Sequence, residues 1–335
     1  LGLHRTYGIP TISKLLVQTK QFSSKQFAGK RYADTEVLIQ EFMGNEPDSP
    51  RTLDAIARMN YIHNIYQKKG LISNDDLLYT LSLFAIEPER WIRRHEWRPL
   101  SDLEICAIGV FWKAQGDAMK IEFKCLQDYQ TREGDPRTDG LAFFRALEAW
   151  SMAYEERVMV PDINNKTTAD ETVAILLWDV PKVAHPFGRQ AVSALMDNRL
   201  RAAMMYEKPA PFIEAAVHAV LALRKYFVRY FLLPRPRFLR VQGIEDEPDR
   251  NGRLHLRYFQ AEPWYVPDSF KNRYDLKAWF KWFAGNPIPD KQFKPQGYLI
   301  PEIGPQSVEG KGLKEQEAGV EILRGMNRGG CPFKI

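Results

Sequence analysis

The stretch SPRTLDAIARMNYIHNIYQKKG, residues 49–70, decides the class of this protein. Ser49 is an N-cap, Pro50 sits where the first helical residue has no N–H to satisfy, and Gly70 closes the segment after Lys68 and Lys69. The predicted helix is 51–69. His63 lies one turn after Met59, two after Ile56 and three residues before Tyr66, so it faces an apolar stripe. Working outward, Asn74 precedes a helix over 75–86, expected to stop before Glu87-Pro88 because a residue ahead of proline avoids the α region. Ser101-x-x-Glu104 is a capping box that opens a helix reaching about Gly116. Further helices are expected over 141–158, 169–179, 187–207 and 210–232. Only 238–242 and 254–261 look extended, as a small hairpin or loops. Beyond 261 the composition shifts to Pro, Gly, Lys and Trp, with one helix at 269–284. The expected fold is therefore all-α: an N-terminal segment 1–29, a helical domain 30–261, and an irregular C-terminal extension 262–335 that wraps the bundle.

With 44% hydrophobic and 27% charged residues in 335, the chain is an ordinary globular one, able to bury either one continuous core or two domains. A net charge of +5 from 47 basic and 42 acidic residues is too diffuse to indicate nucleic acid as a partner. No run of about 18 uncharged apolar residues argues for a spanning helix. The nearest approach, 212–233, carries Arg224, Lys225 and Arg229. Cys106, Cys125 and Cys331 lie far apart and outside any metal-ligand spacing, so reduced thiols in a cytosol-facing protein are expected. The chain opens on Leu1 without a signal pattern, which leaves a processed or truncated N-terminus open. No internal repeat is present.

The six histidines form no H-E-x-x-H zinc motif. His63 faces the apolar stripe either as a haem ligand or as a hydrogen-bonded core residue. His218, among the apolar residues 215–223, is its rival and is read as a packed core residue; His185, before Pro186, as a loop residue; and His4, His95 and His255 as solvent-facing. Arg31 and Thr35 share a face if their stretch is helical. A guanidinium beside a hydroxyl can hold an oxygen-derived ligand or a carboxylate such as a haem propionate; the alternative is a solvated helix start. Phe143, Phe144, Trp150, Leu176, Leu177 and Trp178 are either walls of an apolar substrate channel or ordinary core. Cys331, in Gly-Cys-Pro-Phe, is a thiolate alternative to His63 that an imidazole-type carbonyl spectrum would exclude. The basic run Arg224, Lys225, Arg229, Arg235, Arg237, Arg240, interleaved with aromatics, reads either as a membrane-surface patch or as a core helix whose cations reach water at its C-terminal end.

The pattern Arg31-x-x-x-Thr35 followed by His63 twenty-eight positions on resembles the arginine, threonine and haem-ligand histidine of the latex-clearing rubber oxygenase family. The text of 58–121 is closer still to the fungal ER-bound oxygenase branch of that family: Met59-Asn60-Tyr61-Ile62-His63, Ile72-Ser73-Asn74-Asp75-Asp76, Glu87-Pro88-Glu89-Arg90-Trp91, Glu96-Trp97-Arg98 and Trp112-Lys113. The closing Gly330-Cys331-Pro332-Phe333 also looks like that branch. The resemblance implies a globin-like helical core holding a b-type haem, His63 as proximal iron ligand, and Arg31 and Thr35 near the opposite face, with Arg31 stabilising bound oxygen or a propionate and Thr35 donating a hydrogen bond. It implies dioxygen chemistry that cleaves an isoprenoid double bond of a lipophilic terpenoid substrate of secondary metabolism, at the cytosol-facing surface of the ER membrane. Hydroxylating or peroxidase-like chemistry on the same fold is the alternative reaction, and a non-catalytic haem or lipophile carrier the alternative class. One departure matters: rubber oxygenases carry a lysine before the threonine, a candidate sixth iron ligand, where this chain has Asp34. The lysine's role does not pass to Lys30, one turn away. An open or water-bound sixth position is expected, with Asp34 orienting that water or Arg31.

Overall fold

In the computed structural model, residues 2–19, 25–129, 132, 134–259, 261–283, 285 and 287–326 are described. They form fourteen α-helices: α1 (Gly2–Thr6), α2 (Pro10–Gln18), α3 (Lys25–Gly44), α4 (Pro50–Gln67), α5 (Asn74–His95), α6 (Asp102–Ala118), α7 (Gly140–Val158), α8 (Ile163–Leu176), α9 (His185–Ala194), α10 (Asn198–Ala203), α11 (Pro211–Phe231), α12 (Phe270–Tyr274), α13 (Leu276–Phe283) and α14 (Leu313–Gly325). Among the described residues there is no strand; 244–256 and 254–298 are joined only by isolated antiparallel bridges. The fold is all-α.

Side-chain caps set the helix starts. Ser49 accepts from the Thr52 amide before α4, and Ser73 and Ser101 form reciprocal capping boxes with Asp76 and Glu104 before α5 and α6. Each box satisfies donors that a helix start otherwise leaves orphaned. α5 then runs on through Pro88 to His95, correcting the expected stop at Ile86. Packing on α6 and α7, and the Glu87–Arg90 and Arg90–Glu148 ion pairs, offset the ~3 kcal/mol that an interior proline costs. The helix expected over 187–207 is two, because Asp197 caps a new start at Asn198. The one expected over 269–284 likewise divides into α12 and α13. Residues 238–242 form a loop and no hairpin strand: the 3-10 turn Arg237–Leu239 covers their start and Arg240 is extended.

The main core lies where α4, α5, α6 and α7 meet around Leu78, Ile86, Phe143 and Phe144. α6 and α7 approach most closely at Gly109 and Gly140, where a Cβ on either would strike the other helix's backbone. A second cluster sits behind α3, where Val37 and Leu38 meet Tyr265 and Tyr298 of the irregular region. α14 lies along α4.

α11 is not a core helix. Only Ile213 is buried along it; Val217, Leu221, Lys225 and Val228 are half-buried on one side, while Phe227, Tyr230 and Phe231 face outward. It rests on α9 and on the C-terminal end of α5. His218 is therefore exposed, not packed. His4 and His255, expected at the surface, are buried: His4 lies edge-on to Tyr7, and His255 meets Glu245 at 3.0 Å. His185 opens α9 with its Nε2 at 2.9 Å from the Val180 carbonyl. Cys106 and Cys125 are free, half-buried thiols; Cys331 and the Gly-Cys-Pro-Phe motif lie outside the described residues. No described helix is long and apolar enough to cross a membrane.

Candidate active site

α3 has two working faces. Lys30, Asp34, Val37 and Glu41 recur at helical spacing and are buried on its rear side. There Asp34 accepts from Lys30 Nζ at 2.8 Å and from the Tyr265 hydroxyl at 2.7 Å, and Glu41 accepts from Arg51 and Tyr298. The other face carries Arg31, Thr35, Leu38, Ile39 and Phe42, which line a cavity of about 250 Å³. α4 supplies Met59, Ile62, His63 and Tyr66 to the same cavity, and α5 supplies Asp76, Leu77, Thr80 and Phe84. The volume is at the lower edge of ligand pockets, roughly 300–1,000 Å³, and the cavity reaches solvent beside the exposed Leu71.

Arg31, Thr35 and His63, picked out by sequence, are thus brought to one cavity. Asp34 is not: its carboxylate points to the rear face, where Lys30 and Tyr265 occupy it, so it is in no position to orient a ligand in the cavity. Burial pushes its carboxyl up, while Lys30 and Tyr265 act against that rise. Lys30 is also fixed to the Gly304 carbonyl at 3.0 Å. Thr35 donates its only hydroxyl proton to the Arg31 carbonyl at 2.8 Å, one turn back. Toward the cavity it can accept but not donate, correcting the expected donor role.

Among the described residues Arg31 has no carboxylate or hydrogen-bond partner for its guanidinium. His63 Nδ1 is buried with no partner. Burial and the charge of Arg31 lower the His63 pKa to about 4, so the imidazole is neutral at pH 7 and keeps a lone pair for ligation. A half-buried guanidinium that feels the charge of Asp34 but touches no carboxylate among the described residues, and a buried imidazole nitrogen without a hydrogen-bond partner, are both costly unless a ligand uses them. A haem fits this donor set: one neutral imidazole, apolar walls including Phe84 and Trp112, and one fixed cation.

Sequence reading missed the contribution of the N-terminal segment. Thr6, Tyr7, Ile12, Leu15 and Leu16 line the cavity from α1, α2 and the turn between them. The signal for α2 was present, since Pro10 sits at its first position and Ile12, Leu15 and Leu16 recur at helical spacing. Asp76 was read only as part of a motif; it lines the cavity while accepting from Thr11 at 2.6 Å. Nothing local signals Pro305, which reaches the cavity from the C-terminal region. Phe143, Phe144 and Trp150 are buried in the main core and line no part of this cavity.

No family model matches the chain. It is similar over nearly its whole length to curated fungal proteins. It is 45% identical over 335 residues to the ER-bound oxygenase mpaB' of Penicillium brevicompactum, an alignment covering 99% of this chain and 78% of that protein. It is 39% identical over 323 residues to the ER-bound oxygenase mpaB of the same organism, covering 96% and 74%. A third relative, the ER-bound oxygenase mpaB of Penicillium roqueforti, is 49% identical over 205 residues, covering 61% and 67%. With identities of this size over almost the entire chain, this protein belongs to the mpaB family of ER-bound oxygenases.

Proposed function

We propose that this chain is a haem-dependent oxygenase that cleaves a carbon–carbon double bond in a terpenoid or other lipophilic natural-product side chain, working at the cytosol-facing surface of the ER membrane. The observation that carries the reading is the cavity that His63 and Arg31 share, in which, among the described residues, neither His63 Nδ1 nor the Arg31 guanidinium has a hydrogen-bond partner.

A b-type haem, when bound, supplies an iron centre able to activate dioxygen. His63 would hold it, because its basicity is suppressed and no proton competes for its lone pair near pH 7. Arg31 places a permanent positive charge in the cavity, in surroundings that screen it poorly, and would hold a haem propionate or stabilise negative charge on an oxygen-derived ligand. Thr35, its proton committed to the Arg31 carbonyl, holds the backbone that carries that guanidinium. Leu38, Ile39, Met59 and Leu77 exclude water and offer an alkene an apolar wall. Cleavage places one atom of dioxygen on each former alkene carbon, giving two carbonyl products. Asp34 and Lys30 take no part in the reaction; their ion pair anchors the rear of α3.

An absorption spectrum of the purified protein before and after dithionite, with iron quantified, tests this directly. A Soret band near one haem per chain and an imidazole-type carbonyl complex are expected. His63→Ala should lose the haem while keeping its helical circular dichroism, and stoichiometric haem in that variant would refute the ligand assignment. Arg31→Gln should retain haem and lose roughly 10²–10³-fold in turnover, the usual cost of removing one electrostatic donor. A single product heavier by one oxygen would replace cleavage with hydroxylation. No haem even after reconstitution would leave a lipophile-binding protein.

A further inference from the structure

Helix α11 and the segment after it present an unusual surface. Phe231 is 74% exposed, Leu233 91% and Phe238 85%, and Tyr226, Phe227 and Tyr230 are also exposed. Monomeric proteins seldom leave this much contiguous aromatic surface in water without a use for it. The same stretch carries Arg224, Lys225, Arg229, Arg235, Arg237 and Arg240, and the sequence has no Asp or Glu between Glu214 and Glu245. Arg224 alone of these has a carboxylate partner among the described residues, Glu96 at 2.7 Å. Arg229 lies over the ring of Tyr230. The cations therefore seek an anion outside the protein.

We infer that α11 and residues 232–241 form a docking face for an anionic lipid bilayer, with the aromatic rings entering the headgroup boundary and the arginines pairing with lipid phosphates and carboxylates. The helix is about 30 Å long but carries three cations and is not apolar enough to cross a bilayer; it would lie in the interface plane. Tyrosines with an apolar body and a polar tip suit that depth. A second copy of the chain is disfavoured as the occupant. A two-fold symmetric contact through this face would set the unpaired cations of one copy against those of the other. This inference rests on nothing in the cavity. α11 touches α5 near its C-terminal end, whereas the cavity uses α5 from Asp76 to Phe84, near its start. The face would anchor the protein without opening the cavity onto the bilayer.

Flotation of the full chain with phosphatidylcholine vesicles, and with phosphatidylcholine containing phosphatidylserine, tests the inference. Binding to the anionic vesicles and far weaker binding to the neutral ones is expected, falling as salt rises. The triple variant R235Q/R237Q/R240Q should partition roughly 100-fold less well, on the order of fivefold per cation removed near a charged surface. The pair Phe231→Ser with Leu233→Ser should also lose binding with every cation in place. These residues are exposed, so both variants should keep the parent's circular dichroism and haem content, which separates this test from that of the cavity. The inference is overturned if the parent does not float, if both variants float as the parent does, or if light scattering shows a dimer that Phe231→Ser disperses while no vesicle binds.

Discussion

His4 is 2% exposed and its Nε2 is buried without a partner, so a protonated ring there would have nothing to pay for its lost hydration. Burial lowers its pKa from 6.5 to about 4. The unfolded chain thus binds a proton that the folded chain refuses between those two values. Stability contributed by the neutral ring is fully present above pH 6.5 and lost as pH falls toward 4, by on the order of 3 kcal/mol. His4→Phe, which keeps a ring and has no proton to gain, should flatten this part of the pH profile in urea titrations at pH 7 and pH 4.5. An unchanged profile would mean that His4 does not titrate as its burial requires. The histidines also mark what a sequence can carry at this scale. His63 was legible because its own helix supplies the apolar stripe and because Arg31 and Thr35 stand at a recognisable distance upstream. His4 and His255 were misread because polar neighbours in sequence say nothing about what tertiary packing brings over them. His218 was misread in the opposite sense, since the apolar residues around it face outward.

At the scale of elements, caps were the most readable feature, because a serine and an acidic residue three positions on satisfy backbone groups within the same short stretch. Breaks were less readable. Pro88 was read as a stop, yet α5 continues because the helices it packs on, and the Glu148 that pairs with Arg90, lie elsewhere in the chain. Its cost should therefore remain stored in the helix. Pro88→Ala would restore a backbone donor and remove the clash with the preceding turn. The urea midpoint should rise by the equivalent of ~1–3 kcal/mol, with the helical circular dichroism retained. A fall in midpoint would show instead that the fixed backbone angle of the proline outweighs its missing donor. The rear face of α3 could not be read at all. Lys30, Asp34 and Glu41 look like a solvated face, and their burial depends on partners far along the chain, the Gly304 carbonyl and the Tyr265 and Tyr298 hydroxyls, more than 200 residues away.

Across the whole molecule, the cavity draws residues from Thr6 to Pro305, so its shape depends on contacts between the ends of the chain and the central helices. Arg58 is the clearest of these. It is fully buried, with Nε donating to the Ile303 carbonyl at 2.8 Å, Nη1 to Lys311 at 2.7 Å and Nη2 to Val308 at 2.8 Å. Three carbonyls within nine residues converge on one planar cation, a geometry that lysine cannot reproduce. Arg58 lies on α4 five residues before His63, and the segment it clamps contains Pro305, which lines the cavity. The clamp thus ties the C-terminal region to the helix that carries His63. Arg58→Met keeps much of the buried stem volume but leaves three carbonyls without their charged donor. Hydrogen bonds to a charged group contribute about 1.5–3 kcal/mol each, and the loss is reduced by no longer burying a cation. The net should be a destabilisation of ~3–5 kcal/mol, read from the urea midpoint, with new protease cleavage within 303–311 ahead of global unfolding. Arg58→Lys should recover less than half of the loss, because one ammonium cannot reach all three carbonyls. Affinity for the proposed haem should fall in parallel, since Pro305 is no longer held against the cavity. A variant as stable and as protease-resistant as the parent would place the anchoring of this region in the packing of α14 on α4 instead.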